Sequence, residues 1–326
     1  MEHPLVSVII VNWNGAKYLP ACLSALMQQT YTPIEIVIVD NASTDDSCQV
    51  IEAFQHRHQE LRTLTLLRNS SNTGFCRGNN QGIQHSHGDF VLLLNADVTL
   101  AADFIERLVH LMSSDPMVGI ALGKLLSGEN TSKLDSTGIV ILKNRRALDR
   151  GQREEDRGQY DVREEVFGAS GAACLYRKAM LDQIMYPGEE YLDELFFAYK
   201  EDVDLAWRAR LAGWKCMYAP EAVGTHFRTW GTGKRGDIPK WVRRHSLKNR
   251  YLMLFKNECW RTFAPDLLRI AWYEICSLIY ILIWEPYLLS VIGEILRYWP
   301  EILVKRRRTQ HFATAETRGN LRQWFH

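Results

Sequence analysis

Residues 88–100 read GDFVLLLNADVTL. An apolar run from Phe90 to Leu94 stops abruptly on Asn95-Ala96-Asp97. An apolar run without alternation suits a strand buried on both faces, as in a parallel sheet covered by helices. A carboxylate just past the carboxyl end of such a strand lies where open α/β sheets take their ligands. Asp97 is therefore a candidate to hold a divalent cation against a phosphate. The competing use of Asp97 is to cap a helix that starts near Ala101.

Outward from this strand, the first 125 residues alternate strand and helix. Strands are expected at 5–11, 34–39, 63–67, 90–94 and 118–122, and helices at 17–29, 45–58, 77–86 and 101–114. Alternation of this kind predicts an α/β fold with a parallel sheet and right-handed crossovers. Ligand-binding loops then follow the strands, at Asn12–Gly15, Asp40–Asp45, Asn72–Asn79 and Asn95–Asp97. From 126 to 165 the chain is polar and irregular, and a short hairpin with a solvated loop is expected there. The small-residue run Gly168–Ala173 permits close backbone approach to a ligand or to another strand. A helix from Glu201 stops at Gly213, and two strands follow, Lys215–Tyr218 and Ala222–His226.

The 326 residues are 46% apolar and 24% charged, with net charge +1. These are ordinary globular values, and the charge balance speaks against nucleic acid as a partner. The charge is uneven, however. Ten Lys and Arg lie between Arg228 and Arg261 against two acids, Asp237 and Glu258, and Lys305-Arg306-Arg307-Arg308 forms a second cluster. Such patches suit phosphates or anionic lipid. The seven cysteines form no C-x-x-C pair, so neither a zinc site nor a disulfide framework is expected. The N-terminus enters a strand directly, so no signal peptide is expected.

Residues 267–304 are rich in Leu, Ile, Trp and Tyr, but Glu274, Glu285 and Glu294 interrupt them and Pro286 breaks the helix. A spanning helix needs about 20 apolar residues. Two amphipathic helices in a bilayer interface fit better, with the 305–308 cluster on anionic headgroups. The same helices could instead pair two copies as a homodimer or pack back on the domain.

Chemistry narrows the function further. Neither a G-x-G-x-x-G after the first strand nor a P-loop occurs. Asp40 closes the second strand and could accept hydrogen bonds from a nucleoside or cap the next helix. Glu201-Asp202 opens a helix, where the dipole stabilises acids, and a carboxylate there could also serve as a general base. His226 ends a strand and is a good ligand for a Mn²⁺-like ion.

Seven segments carry a resemblance: VSVIIVNWNG, IVIVDNASTD, NTGFCRGNNQGI, GDFVLLLNADV, GASGAACLYRK, FFAYKEDVDLAWRARLAGW and THFRTWGTG. In this order they resemble the inverting family 2 glycosyltransferases of GT-A fold, in particular the rhamnosyltransferase-like branch, over residues 5 to about 233. The resemblance implies a GT-A nucleotide-diphospho-sugar transferase fold, a mostly parallel central sheet flanked by helices. It implies a catalytic domain over 1–235, with a nucleotide-binding half (1–125) and an acceptor half (126–235). A basic linker and amphipathic helical membrane-associating tail would occupy 236–326.

The site residues follow from the same resemblance. Val11, Asn12, Asn14 and Asp40 would hold base and ribose. Gly74, Arg77 and Asn79 would lie along nucleoside and diphosphate, and Trp230 would contact the donor. Asn95-Ala96-Asp97 stands in the place of the D-x-D motif. Asp97 and His226 would bind Mg²⁺ or Mn²⁺, and Asn95 brings no charge to the metal. Asp202, within the Glu201-Asp202 pair, matches the catalytic base. The donor would be a dTDP-sugar or UDP-sugar. The acceptor would be a cell-envelope glycan or a polyprenyl-diphosphate-linked sugar, met at the cytoplasmic side of the membrane.

Two other functions share parts of the pattern. A sugar-nucleotide nucleotidyltransferase needs a glycine- and cation-rich loop after strand one, and Asn12-Trp13-Asn14-Gly15 offers one glycine with Lys17 nearby. A non-catalytic nucleotide-sugar-binding protein would have no use for Asp202 beside Asp97 and His226.

Overall fold

The computed structural model describes residues 3–58, 64–228 and 235–326. The first half runs β1 (Val6–Asn12), α1 (Leu19–Met27), β2 (Ile34–Asp40), α2 (Ser47–Arg57), β3 (Leu64–Arg68), α3 (Phe75–Gln84), β4 (Phe90–Leu94), β5 (Val98–Leu100), α4 (Phe104–Ser114) and β6 (Val118–Ser127). The strands β3, β2, β1 and β4 pair in parallel in that order. All five residues of β4 are buried. Side chains alternate between two cores: Ile9 and Val37 face α3, while Val8, Ile10, Ile36 and Ile38 face α1 and α4. Both faces are covered, which is why these strands carry no polar alternation.

The second half adds β7 (Leu134–Ser136), β8 (Ile139–Ile141), β9 (Ala147–Asp149), β10 (Glu164–Glu165), β11 (Ala173–Arg177), α5 (Lys178–Ile184), α6 (Glu201–Leu211) and β12 (Lys215–His226). Strand β11 enters between β4 and β6, antiparallel to both. The sheet is therefore mixed and mostly parallel in its long strands, with β11 reversed at its centre and the short strands β5, β7 and β10 also antiparallel to their partners. The two strands expected at 215–218 and 222–226 are one strand, β12. Its register against β6 slips between Ala219 and Val223, around Pro220, which lacks the N–H a regular ladder needs. Strand β5, which the sequence pattern missed, pairs antiparallel with the end of β12 and sets His226 opposite Val98. Asp97 does not cap a helix, because β5 intervenes and α4 starts at Phe104 after Asp103.

Residues 240–257, expected as part of a basic linker, form the 18-residue helix α7 (Lys240–Asn257). The helices α8 (Trp260–Phe263), α9 (Leu267–Trp284), α10 (Ser290–Arg297), α11 (Trp299–Phe312) and α12 (Ala315–Asn320) follow. The three glutamates that interrupt the apolar run each meet cations of the preceding basic stretch. Glu274 binds Arg250 (2.7 Å) and the Tyr251 hydroxyl (2.6 Å), Glu285 binds Arg235 (2.5 Å) and Arg243, and Glu294 binds Arg244 (2.5 Å) and Lys248 (3.2 Å).

The 305–308 cluster is largely turned to the protein rather than to solvent. Lys305 is buried on Glu190 (2.6 Å) and Asp193 (2.7 Å). Arg306 and Arg308 donate to backbone carbonyls of Phe255 and Met185. Only Arg307 of the four is exposed, so the cluster as a unit does not form the lipid-facing patch expected of it. The apolar stripe of α9 faces outward instead: Leu268, Trp272, Ile275, Ile279, Leu282 and Ile283 are all exposed. Among the described residues one run, Trp260–Trp284, is long and apolar enough to cross a membrane by length and composition.

Asp193 is the knot of this packing. It is fully buried and accepts from Lys256 of α7, Lys305 of α11 and the Leu195 amide. Replacing it by Ala takes one carboxylate from each of two buried ammonium groups, leaving Lys256 on Asp204 and Lys305 on Glu190 and Glu301, so Asp193→Ala should cost about 3 kcal/mol. Loss of the Lys133–Glu155 pair, both partners more than 40% exposed, should cost under about 1 kcal/mol. Denaturant unfolding of the two variants checks the difference.

Candidate active site

A cavity of about 530 Å³ opens at the carboxyl edge of β1 and β4. Of the residues expected around a donor, Val11, Asn12, Asn14, Gly74, Asn95, Ala96 and Asp97 line it. Gly74 adopts φ +90°, and a Cβ there would sit 2.5 Å from the Phe197 ring, so only glycine fits between the two loops. Trp13, Tyr18, Phe75, Phe197 and Trp241 add aromatic walls.

Three expected contacts are not among the lining residues. Asp40 is buried and its carboxylate serves its own loop, accepting from Asn12 Nδ2 (2.8 Å), the Ser43 amide (3.0 Å) and the Ser43 hydroxyl (2.6 Å). Asn79 is buried in α3 and donates to the Phe75 carbonyl one turn back (2.9 Å). Arg77 is exposed and faces Glu194 at 3.9 Å. The resemblance placed Arg77 and Asn79 along nucleoside and diphosphate, and in α3 neither is among the residues that line the cavity. Trp230 lies outside the described residues.

Asp97 and His226, 129 positions apart in the chain, meet at 3.3 Å between Oδ1 and Nε2. The β5–β12 pairing and a hydrogen bond donated by the Phe227 amide to the Asp97 carbonyl (2.8 Å) hold them. On its far side His226 Nδ1 contacts Asp135 at 2.8 Å. Burial opposes charge on this imidazole, but the bonds and charges of Asp135 and Asp97 outweigh it and lift the pKa to about 9. A histidine anchored by a carboxylate through one ring nitrogen presents the other in a fixed direction, the usual arrangement behind a metal-binding imidazole. The oxygen and nitrogen donors of Asp97 and His226 therefore fit a divalent cation. Among the described residues no group of three or more His, Cys, Asp or Glu has ligand spacing.

The contacts continue past Asp135. Arg228 bridges Asp135 (2.6 Å) and Asp149 (2.8 Å). Asp149 lines a second cavity, of about 260 Å³, together with Glu201, Asp202 and Lys200. The two cavities adjoin, since Ala198 and Trp241 line the first while Tyr199 and Val242 line the second. The backbone ties them as well: the Asn95 amide donates to the Ala172 carbonyl (2.8 Å), and the neighbouring Gly171 amide donates to Asp202 Oδ2 (3.1 Å). The small-residue run allows this approach, because a Cβ on Gly168 would lie 2.4 Å from Ala206 of α6. Asp97 and Asp202 line separate cavities, tied through the backbone of Gly171 and Ala172.

Asp202 also accepts from the Val203 amide (2.7 Å). Burial and the Asp149 charge raise its pKa, against the Gly171 and Val203 bonds and Lys200. Glu201 is pushed up to about 8, by burial and then by Asp202, and its Oε2 is buried without a hydrogen-bond partner. Asp204, one turn into α6, belongs to the buried ion cluster with Arg208 and Lys256. The loop before α6 is strained. Phe197, Tyr199 and Lys200 have φ of 65°, 73° and 69°, and left-handed non-glycine residues cost on the order of 1–3 kcal/mol each. Asn249 of α7 holds them, donating to the carbonyls of Phe196 (3.0 Å), Ala198 (2.8 Å) and Tyr199 (2.7 Å).

Sequence reasoning missed Asp135, Asp149, Asn249 and Trp241. The first two sit in a stretch whose charge density looked like solvated loop, and the last two in the presumed linker. The available signal was the helical spacing of Trp241, Val242, His245 and Asn249 from Lys240 onward.

Comparison with known proteins agrees with this geometry. Residues 7–185 match the family described as Glycosyl transferase family 2. The chain belongs to that family. It is 27% identical over 257 residues to an N-acetylglucosaminyl-diphospho-decaprenol L-rhamnosyltransferase of Mycobacterium tuberculosis, covering 71% of this chain and 78% of that protein. It is 30% identical over 118 residues to the glycosyltransferase GlyG of Streptococcus pneumoniae, covering 35% and 38%. The matches span between about a third and just over half of the length of GlyG and several other relatives. Among solved structures it resembles S. aureus TarS 1-349 in complex with UDP (TM-score 0.58, 15% identity, 98% and 91% of the two chains). It also resembles the mannosyltransferase PcManGT from Pyrobaculum calidifontis in complex with GDP-Man and Mn²⁺ (TM-score 0.55, 16% identity, 99% and 88%). These likenesses show the GT-A fold.

The raised pKa of Glu201 has a stability consequence. Below its ordinary value of 4.5 both folded and unfolded chains carry the proton. Between 4.5 and about 8 only the folded chain keeps it, so this group's contribution to stability is lost as pH rises through that window. Glu201→Gln cannot titrate. Its stability relative to the parent should rise between pH 4.5 and 8, by on the order of 1 kcal/mol per pH unit. Thermal denaturation of both proteins across that range checks the sign.

Proposed function

We propose that the protein is an inverting glycosyltransferase that moves a sugar, rhamnose or a related hexose, from a nucleoside-diphosphate donor to a hydroxyl of a glycan or lipid-linked acceptor. The observation that carries the reading is the contact chain Asp97–His226–Asp135–Arg228–Asp149, which runs from the donor-side cavity to the one holding Asp202. One end suits a cation and a diphosphate, and the other suits a proton acceptor. The rhamnosyltransferase relative and the neighbours bound to UDP or GDP-Man support the same chemistry.

The donor, a UDP-sugar or dTDP-sugar, would lie in the aromatic-walled cavity. Asp97 and His226 would hold Mg²⁺ or Mn²⁺, which when bound offsets charge on the departing diphosphate. Asp202 would accept the proton of the acceptor hydroxyl. Its raised pKa makes it a stronger base than a surface aspartate, and the Gly171 and Val203 amides aim it. Glu201 would remain protonated near neutral pH, and Arg228 would neutralise Asp149, leaving Asp202 as the carboxylate free to act beside the acceptor. Attack on the face opposite the diphosphate inverts the anomeric carbon. The exposed stripe of α9 would rest on the cytoplasmic face of a membrane, where a lipid-linked acceptor is presented.

Asp202→Asn should lower kcat by about 10²–10⁴-fold while donor affinity stays near normal. Turnover of donor sugar against nucleotide binding measures the split, and near-normal kcat would remove Asp202 from the role. For the membrane, Trp272→Glu combined with Ile283→Glu should abolish most co-flotation with anionic liposomes. Unchanged flotation would count against α9 as the contact.

A further inference from the structure

A third cavity, of about 540 Å³, lies between α7, α9 and the β8–β9 hairpin. It shares Ala147, Leu148, Lys200, Val242 and Ser246 with the Asp202 cavity, so the two are continuous. Its lining is chemically divided. Five cations, Arg146, Lys200, Arg235, Arg243 and Arg250, line it and no carboxylate does. Glu285 and Glu274, outside the lining, pair with Arg235, Arg243 and Arg250. Arg146 and Lys200 form no ion pair among the described residues, although Asp202 and Asp149 lie close enough to bias the Lys200 charge. Apolar side chains are interleaved with the cations: Arg146 and Arg250 lie over the Tyr273 ring and Arg235 over the Tyr280 ring, and Leu247, Ile281 and Leu288 complete the lining. Tyr273, Tyr280 and Ile281 belong to α9, which also carries the exposed Trp272 and Ile275.

From these observations we infer that this cavity binds the acceptor through a diphosphate joined to an apolar chain. The inference rests on the reading of Asp202 as the base of glycosyl transfer. The acceptor's sugar occupies the Asp202 cavity, its diphosphate lies against Arg146 and Lys200, and its chain leaves along Tyr273 and Ile281 toward the exposed face of α9. An excess of cations over acids in a partly closed cavity favours a multiply charged anion over a neutral glycan. Apolar and aromatic side chains beside those cations favour an isoprenoid diphosphate over a free phosphate. A sugar beside Asp202, an anion at Arg146 and Lys200 and a chain toward α9 are the groups of a polyprenyl-diphosphate-linked sugar.

Farnesyl diphosphate is the probe, added to the full-length protein with Mn²⁺, UDP and dTDP at saturation so that the donor site is occupied. It should bind, and inorganic diphosphate and farnesol should each bind far more weakly. Arg146 is exposed, so Arg146→Ala should fold, with its thermal denaturation as the control. That variant should bind the probe about ten- to a hundredfold more weakly, the worth of a charge-assisted contact, and Arg146→Lys should restore most of the loss. A second readout fixes the place. Cys276 is exposed and lines this cavity. Farnesyl diphosphate should slow its alkylation by N-ethylmaleimide in the parent and not in Arg146→Ala.

Four results overturn the inference: no binding, competition by the nucleotides, inorganic diphosphate or farnesol binding as tightly as the probe, or an unprotected Cys276. Donor hydrolysis by the parent and by Asp202→Asn is measured alongside. Loss of hydrolysis in that variant without probe binding defeats the acceptor cavity and leaves the transferase reading standing.

Discussion

The site depends on the direction of one strand. Strand β11 runs antiparallel between β4 and β6, so its beginning, not its end, lies at the carboxyl edge of the sheet. The run Gly168–Ala173 therefore arrives beside Asn95, where its carbonyl takes the Asn95 amide and its neighbouring amide takes Asp202. A parallel strand would carry the same residues to the opposite edge. Small side chains are required there, because α6 packs within Cβ contact of Gly168. The reversed strand thus joins a metal-suited carboxylate from one half of the chain to a base-suited carboxylate from the other.

A second layer of order comes from buried charge. Asp193, Asp204, Arg208, Lys256 and Lys305 form a cluster closed to solvent. Single buried charges are costly, so each member requires the others, and α6, α7 and α11 are fixed relative to one another. This arrangement makes α7 a wall of all three cavities: Trp241 meets the Asp97 side, Val242 and Ser246 the Asp202 side, and Arg250 the cationic side. Asn249 on the same helix holds the strained loop ahead of Asp202. The C-terminal helices are therefore connected to that loop by short polar contacts. A surface that engaged α9 would act on a body already rigidly joined to the site.

Much of the first half of the chain was legible in the sequence. The strands β1 to β4 and the helices between them follow from apolar runs and turn residues, and Asp97 at the end of β4 follows from the topology of such sheets. Asp97, His226, Asp202 and Glu201 were visible because acids and a histidine at element ends are unusual enough to notice. Arg77 and Asn79, named by the resemblance, lie in α3 outside the lining of the cavity, because a motif does not say which way a helix faces. Asp135 and Asp149 were invisible for a different reason. Nothing in a polar, irregular stretch distinguishes a carboxylate that will be buried against an arginine from one that will stay in water.

The sequence by itself determined the alternating architecture, the buried strands and the two carboxylates, since periodicity and element ends are local properties of the chain. Only the tertiary structure decided which distant groups meet: His226 against Asp97, Asp135 behind it, Asn249 beneath the loop ahead of Asp202, and Glu274, Glu285 and Glu294 against the cations of α7. Those pairings depend on strand direction, register and the mutual neutralisation of buried charge. These are relations between elements, and they come into being only when the elements pack.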